Sequence, residues 1–137
     1  MAVRRVSPTE AAALIERDSY VYLDVRSVPE FETGHPTGAY NIPLLHMSGF
    51  GLAPNMHFLT ECERAFPKDT PIVVGCRSGS RSLQAATLLL AAGYVHVVDQ
   101  RCGFEGSTEP GWRHAGLPVA QEAHPERTHA ALTGAKP

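Results

Sequence analysis

The chain has 137 residues, 43% of them hydrophobic, and its 12 Lys and Arg stand against 14 Asp and Glu for a formal net charge of −2. That length fits one domain able to bury a core without disulfide staples, and the charge balance offers no electrostatic footprint for nucleic acid or an anionic membrane. The three cysteines, Cys62, Cys76 and Cys102, are odd in number and lack metal-ligand spacing, which argues against a secreted disulfide framework and a zinc knuckle. No run approaches the length of a membrane span and the start lacks the apolar centre of a signal peptide, so a soluble cytoplasmic protein is expected.

Strands and helices alternate along the chain. Val3–Val6 reads as a short strand. In Ser7-Pro8-Thr9-Glu10, Ser7 is an N-cap, Pro8 takes the first helical position and Glu10 closes a capping box, so a helix runs to about Arg17. Tyr20–Val25 is the next strand, after which Ser27 with Glu30 caps a short helix that Gly34 ends. Ala39–Ile42 makes a short strand stopped by Pro43, and residues 44–54, with Gly49, Gly51 and Pro54, read as a long irregular loop. Asn55 fits the N-cap of a helix to about Phe66. Ile72–Gly75 is a strand, Leu83–Ala92 a strongly apolar helix closed by Gly93, and Tyr94–Val98 a further strand. This alternation implies a mainly parallel sheet with helices on both faces. Beyond Val119 the chain turns polar without periodicity, so residues 1–119 are expected to form the domain and 120–137 a polar tail.

The chemistry gathers at one strand end. Ile72, Val73 and Val74 form a β-branched run, as fits a strand covered on both faces of a parallel sheet. Cys76 follows at its carboxyl end, where open α/β sheets place their ligand sites. A lone cysteine is most often a small buried hydrophobe, and Cys62, inside a helical pattern, reads as one. After Cys76, however, Arg77, Ser78, Gly79, Ser80, Arg81 and Ser82 are polar, flexible and basic, which is poor core material. They can instead form a nest of backbone N–H groups at a helix start, and such a nest stabilises an anion. Guanidinium groups and helix N-termini favour the thiolate of a neighbouring cysteine, so the pattern points to a reactive sulfur.

Taken in order, Asp24-Val25-Arg26, Glu30-Phe31, residues 34–43 (GHPTGAYNIP), residues 76–82 (CRSGSRS), residues 103–106 (GFEG) and Gly116-Leu117-Pro118 resemble a single-domain rhodanese, a thiosulfate sulfurtransferase. The resemblance spans about residues 3–119. It implies a rhodanese-like three-layer α/β sandwich in which Cys76 is catalytic. A sulfane sulfur would pass from thiosulfate or a similar donor to a thiophilic acceptor, cyanide in vitro or a cellular thiol, through a Cys76 persulfide. No metal or organic cofactor is needed, and neither nucleic acid nor membrane is a partner; a protein acceptor fits the same chemistry. Arg81, with Arg77, would bind the donor's sulfonate oxygens. Asp24 would accept hydrogen bonds from Arg81 or the Ser82 region, beside Arg26, and His35 would fix its turn by a local hydrogen bond. Three departures concern the rim: Pro36 replaces a usual hydrophobic residue, Cys102 stands at a usual glycine, and 107–111 looks inserted before Trp112. Cys102, after the last strand, is a candidate resolving thiol through a Cys76–Cys102 disulfide.

Two other classes share parts of this pattern. One is a non-catalytic or regulatory module that carries a persulfide or binds a partner. The other is a cysteine phosphatase or arsenate reductase, which also combines a strand-end cysteine, a nest and an arginine. Those enzymes place one residue more in the loop than the four that separate Cys76 from Arg81.

Overall fold

In the computed structural model, which describes residues 3–134, the elements follow in the order β1 (Arg4–Val6), α1 (Pro8–Asp18), β2 (Val21–Asp24), α2 (Val28–Glu32), β3 (His35–Pro36), β4 (Tyr40–Asn41), β5 (Leu45–Ser48), β6 (Gly51–Pro54), α3 (Phe58–Ala65), β7 (Ile72–Gly75), α4 (Ser80–Ala91), β8 (Val97–Gln100), β9 (Val119–Ala120) and α5 (His129–Thr133). Five strands form a central parallel sheet in the order β1-β8-β7-β2-β4. The β-branched run of β7 therefore lies at its middle. Side chains alternate across the pleat: Leu23, Ile72, Val74 and Val97 join the core with Phe58, Ala85 and Leu89. Tyr22, Val73 and Val98 join the other with Ala11, Phe31, Phe104 and Trp112. Helices α3 and α4 cover one face and α1 the other, which makes the three layers of the expected α/β sandwich.

Local chemistry starts the first two helices where the sequence placed them. Ser7 and Ser27 accept from the backbone N–H of Glu10 and Glu30, and each glutamate reaches back to its cap, so both capping boxes are closed. Four other boundaries differ from the sequence reading. Residues 45–54 are not an irregular loop but an antiparallel hairpin, separate from the main sheet, with Met47 opposite Leu52. Asn55 does not cap α3: its Oδ1 accepts from His57 N–H and its amide donates to Pro43 O and Glu61, so it orders the turn while the helix begins at Phe58. Helix α4 starts at Ser80 rather than Leu83, because the small polar residues that look like loop are its first turn. Strand β8 starts later than Tyr94, whose hydroxyl is drawn away to the Cys62 and Phe66 carbonyls, and it continues to Gln100.

The segment expected to be a tail carries structure as far as residue 134; residues 135–137 lie outside the described part. Val119 and Ala120 pair with Pro36 and His35. Arg127 accepts from the Asn41 N–H, donates to Gly38 O and lies over the Tyr40 ring. Thr128 caps α5, and His129 binds Glu61 of α3 at 3.1 Å. The 107–111 insertion is a tight turn, bridged between Gly106 and Pro110.

Candidate active site

Cys76 leaves β7 with its side chain buried, at 2% exposure. Arg77 and Ser78 are exposed, and the chain then reaches Gly79, the N-cap of α4, at φ +108°. A Cβ at Gly79 would sit on the Arg101 carbonyl, so left-handed backbone and close approach together require glycine. The turn aims the Gly79 N–H at Cys76 Sγ, 3.1 Å away, while the Cys76 thiol lies 3.4 Å from Ser82 Oγ and donates to it. No side chain caps α4, so its first-turn N–H groups and the positive end of its dipole are left on the sulfur's side.

The turn after β8 clamps this loop from behind. Phe104 N–H donates to Cys76 O at 2.7 Å and Glu105 N–H to Arg77 O at 3.0 Å. Gly103 permits the contact: it has φ +69°, and a Cβ there would meet the Arg77 carbonyl. Gln100 shapes the turn with its buried amide, which donates to Gly103 O and accepts from the Cys102 and Gly103 N–H groups.

Arg81 is not left open to solvent. It makes two hydrogen bonds, of 2.7 and 3.0 Å, with the two oxygens of Glu30. Glu30 therefore does two jobs at once, closing the α2 capping box and fixing Arg81 beside the sulfur. Burial would raise its carboxyl, but hydrogen bonds from Arg81 and Ser27 outweigh burial and hold it down at about 2. Arg81 is raised, first by Glu30's hydrogen bonds, with Cys76 and Asp24 adding through space. Among the described residues Arg77 makes no ion pair, which leaves it the exposed cation of the loop.

Asp24 does not meet Arg81 or Ser82 in a hydrogen bond. Its strand lies beside β7 as expected, but the carboxylate is taken by Arg26, two residues on, at 2.7 Å, and by the Arg26 N–H. Proximity along the chain wins because the guanidinium folds back at the strand end. Arg26 also donates to Gly34 O and lies over the Phe104 ring, which ties the α2 turn to the loop clamp. His35 places Nδ1 2.9 Å from Phe31 O and stacks on the Phe31 ring, a local tie that fixes the turn.

Cys102 is buried, and all three cysteines are free. Burial raises its thiol, and Glu109 raises it further against the opposing effect of Arg101. Glu109 belongs to the inserted turn and pairs with Arg101 at 3.1 and 3.0 Å. Burial likewise pushes the Cys62 thiol up. Sequence reasoning missed Glu109, Gln100, the pairing of Glu30 with Arg81, and the ion pair of Arg5 with Asp99. Only Glu30 carried a local signal, as a capping residue.

Comparison with known proteins agrees with this architecture. The profile of the rhodanese-like domain matches residues 7–109, and the chain belongs to that family. Thiosulfate sulfurtransferase 16, chloroplastic, of Arabidopsis thaliana is 35% identical over 123 residues, covering 87% of this chain and 98% of that protein. Senescence-associated protein DIN1 of Raphanus sativus is 40% identical over 102 residues, covering 74% of this chain but 56% of the relative, so the chain spans little more than half of that protein. The crystal structure of Rv0390 from M. tuberculosis superposes with a TM-score of 0.76 at 28% identity, covering 89% of this chain and all of the other.

Proposed function

We propose that this protein is a sulfurtransferase that carries a sulfane sulfur as a persulfide on Cys76. One observation carries the reading. The Cys76 sulfur sits at the carboxyl edge of β7 against the Gly79 N–H and the Ser82 hydroxyl, at the uncapped end of α4. A sulfur anion in that position exchanges water for fixed donors, the preorganised stabilisation that an oxyanion hole provides.

The Cys76 thiolate attacks the outer sulfur of a donor such as thiosulfate. A new S–S bond forms to Cys76, the donor's S–S bond breaks, and sulfite departs with the electron pair. The terminal persulfide sulfur, now anionic, lies toward the loop's N–H groups. A nucleophile, cyanide or a thiol, then attacks that terminal sulfur and returns the Cys76 thiolate. Arg77, exposed beside the sulfur, meets the donor's oxyanion with a planar multi-donor fork. Arg81, held by Glu30, supplies a fixed positive field instead. A narrow loop, with four residues between Cys76 and Arg81, suits one added sulfur better than a phosphoryl group.

Intact-protein mass spectrometry before and after thiosulfate tests the proposal. The expected result is the gain of one sulfur atom, removed by cyanide or a reducing agent and absent in Cys76→Ser. Hydrolysis of p-nitrophenyl phosphate with no sulfur gain would instead favour the phosphatase class.

A further inference from the structure

Two groups touch the Cys76 sulfur, the Gly79 N–H and the Ser82 hydroxyl, and a single ion pair outside the loop stands behind both. Arg5, on edge strand β1, donates from Nε to Asp99 Oδ2 at 2.6 Å and from Nη2 to the Gly79 carbonyl at 3.1 Å. One guanidinium thus holds the N-cap residue of α4 and a carboxylate together, which a lysine, as a single point donor, does not reproduce. Asp99 lies in β8, fully buried, and its other oxygen, Oδ1, has no hydrogen-bond partner. Burial raises the Asp99 carboxyl, and the group that acts most against burial is the Ser82 hydroxyl, ahead of Arg5. Ser82 therefore stands between the Cys76 sulfur and a carboxylate. A buried charge with an unsatisfied oxygen costs stability unless something uses it.

We propose that Arg5 and Asp99 are positioning residues for Cys76, Arg5 fixing Gly79 so that its N–H stays on the sulfur and Asp99 setting the direction of the Ser82 hydroxyl. While Cys76 is a thiol, its proton goes to Ser82 Oγ and the Ser82 proton turns to Asp99. When the sulfur is an anion, the hydroxyl rotates and donates to it. Only a hydroxyl proton changes direction, and no covalent bond is made or broken. The use of this device rests on the sulfurtransferase reading, but its existence does not.

The test is a double-mutant cycle read by alkylation of Cys76 with iodoacetamide at pH 7, with Cys62 and Cys102 as internal reporters of an intact fold. Asp99→Asn removes the carboxylate's hold on the Ser82 proton and leaves the hydroxyl free for the sulfur. Alkylation of Cys76 is expected to rise about tenfold, while the two other cysteines stay unreacted. In the Ser82→Ala background the same change has at least a threefold smaller effect, and Ser82→Thr, which keeps a hydroxyl, restores it. Equal factors in the wild-type and Ser82→Ala backgrounds would overturn the proposal. Should Asp99→Asn fail to fold, Arg5→Lys at the half-exposed end of the pair carries the same cycle and the same criterion. Thiosulfate loading of the same wild-type sample separates the two readings. A coupled cycle without sulfur gain would sink the sulfurtransferase and leave the strut standing, and sulfur gain with an additive cycle would do the reverse.

Discussion

Cys76 and Cys102 follow neighbouring parallel strands, β7 and β8, at the same edge of the sheet, and both are buried. Each also has a bidentate arginine–glutamate pair close by, Arg81 with Glu30 and Arg101 with Glu109. Their surroundings are nonetheless opposite. The sulfur of Cys76 meets an N–H and a hydroxyl at a helix start, whereas the thiol of Cys102 meets burial and a glutamate, which keep it protonated. The two ion pairs differ as well, since Arg81 and Glu30 are 13% and 22% exposed and Arg101 and Glu109 are 35% and 54%. Position on the fold selects the edge, but the donors or acceptors that the next few residues turn toward the sulfur select the chemistry.

The strongest way to break this contrast is to exchange the roles of the two thiols. Cys76→Ser is expected to lower sulfur loading from thiosulfate by a thousandfold or more, on the order of losing a covalent nucleophile, while Cys102→Ser leaves it within about twofold. Peptide mapping of the loaded protein checks both. Sulfur found on Cys102 would dissolve the distinction.

Gly79→Ala attacks the turn that aims the N–H. The added methyl group meets the Arg101 carbonyl at φ +108°, so a loss of about 3 kcal/mol in unfolding free energy is expected. Urea denaturation measures it, and a loss below about 1 kcal/mol would show that the loop can shift.

The buried ion pair comes next. The Glu30 carboxyl is held at about 2 in the folded protein against an ordinary 4.5, so its contribution is complete above about pH 4.5 and fades as pH falls toward 2. Glu30→Gln is expected to cost about 2 kcal/mol at pH 7, allowing for partial exposure, and to converge with wild type near pH 2. A constant difference across that window would place the effect elsewhere. The exposed pair should give the smallest response. Glu109→Gln removes a group that raises Cys102, so alkylation of Cys102 at pH 8 is expected to rise about threefold, less in high salt.

Much of this was legible where the decisive forces are local. The capping boxes at Ser7 and Ser27 and the apolar run of β7 are read within a few residues, and so is Cys76 with its loop. The hairpin of β5 and β6 was hidden because Met47 and Leu52 pair on exposed surface, so no alternation against the core marks the strands. Partners far apart along the chain leave no pattern at all. Asp24 was assigned to Arg81 or Ser82 when Arg26 was nearer, and nothing local links Arg5 to Asp99, 94 residues away. The polar stretch after Val119 has no periodicity because His129 and Arg127 hold it through single contacts with Glu61, Gly38 and Tyr40 rather than through an apolar face.

The contact between the Arg127 carbonyl and the Asn41 N–H bears on how the sheet stops growing. A parallel sheet ends in two rims of unpaired backbone, each a template for another chain. Here the rims are guarded differently. At β1, Arg4 and Arg5 put charge on the outermost strand. At β4 the chain closes its own rim, because a carbonyl from the far end of the sequence occupies an N–H that a further strand would otherwise seek. Residues around Arg127 thus act as a stop against self-association, and shortening the chain ahead of them would uncover the β4 rim without touching the sulfur site.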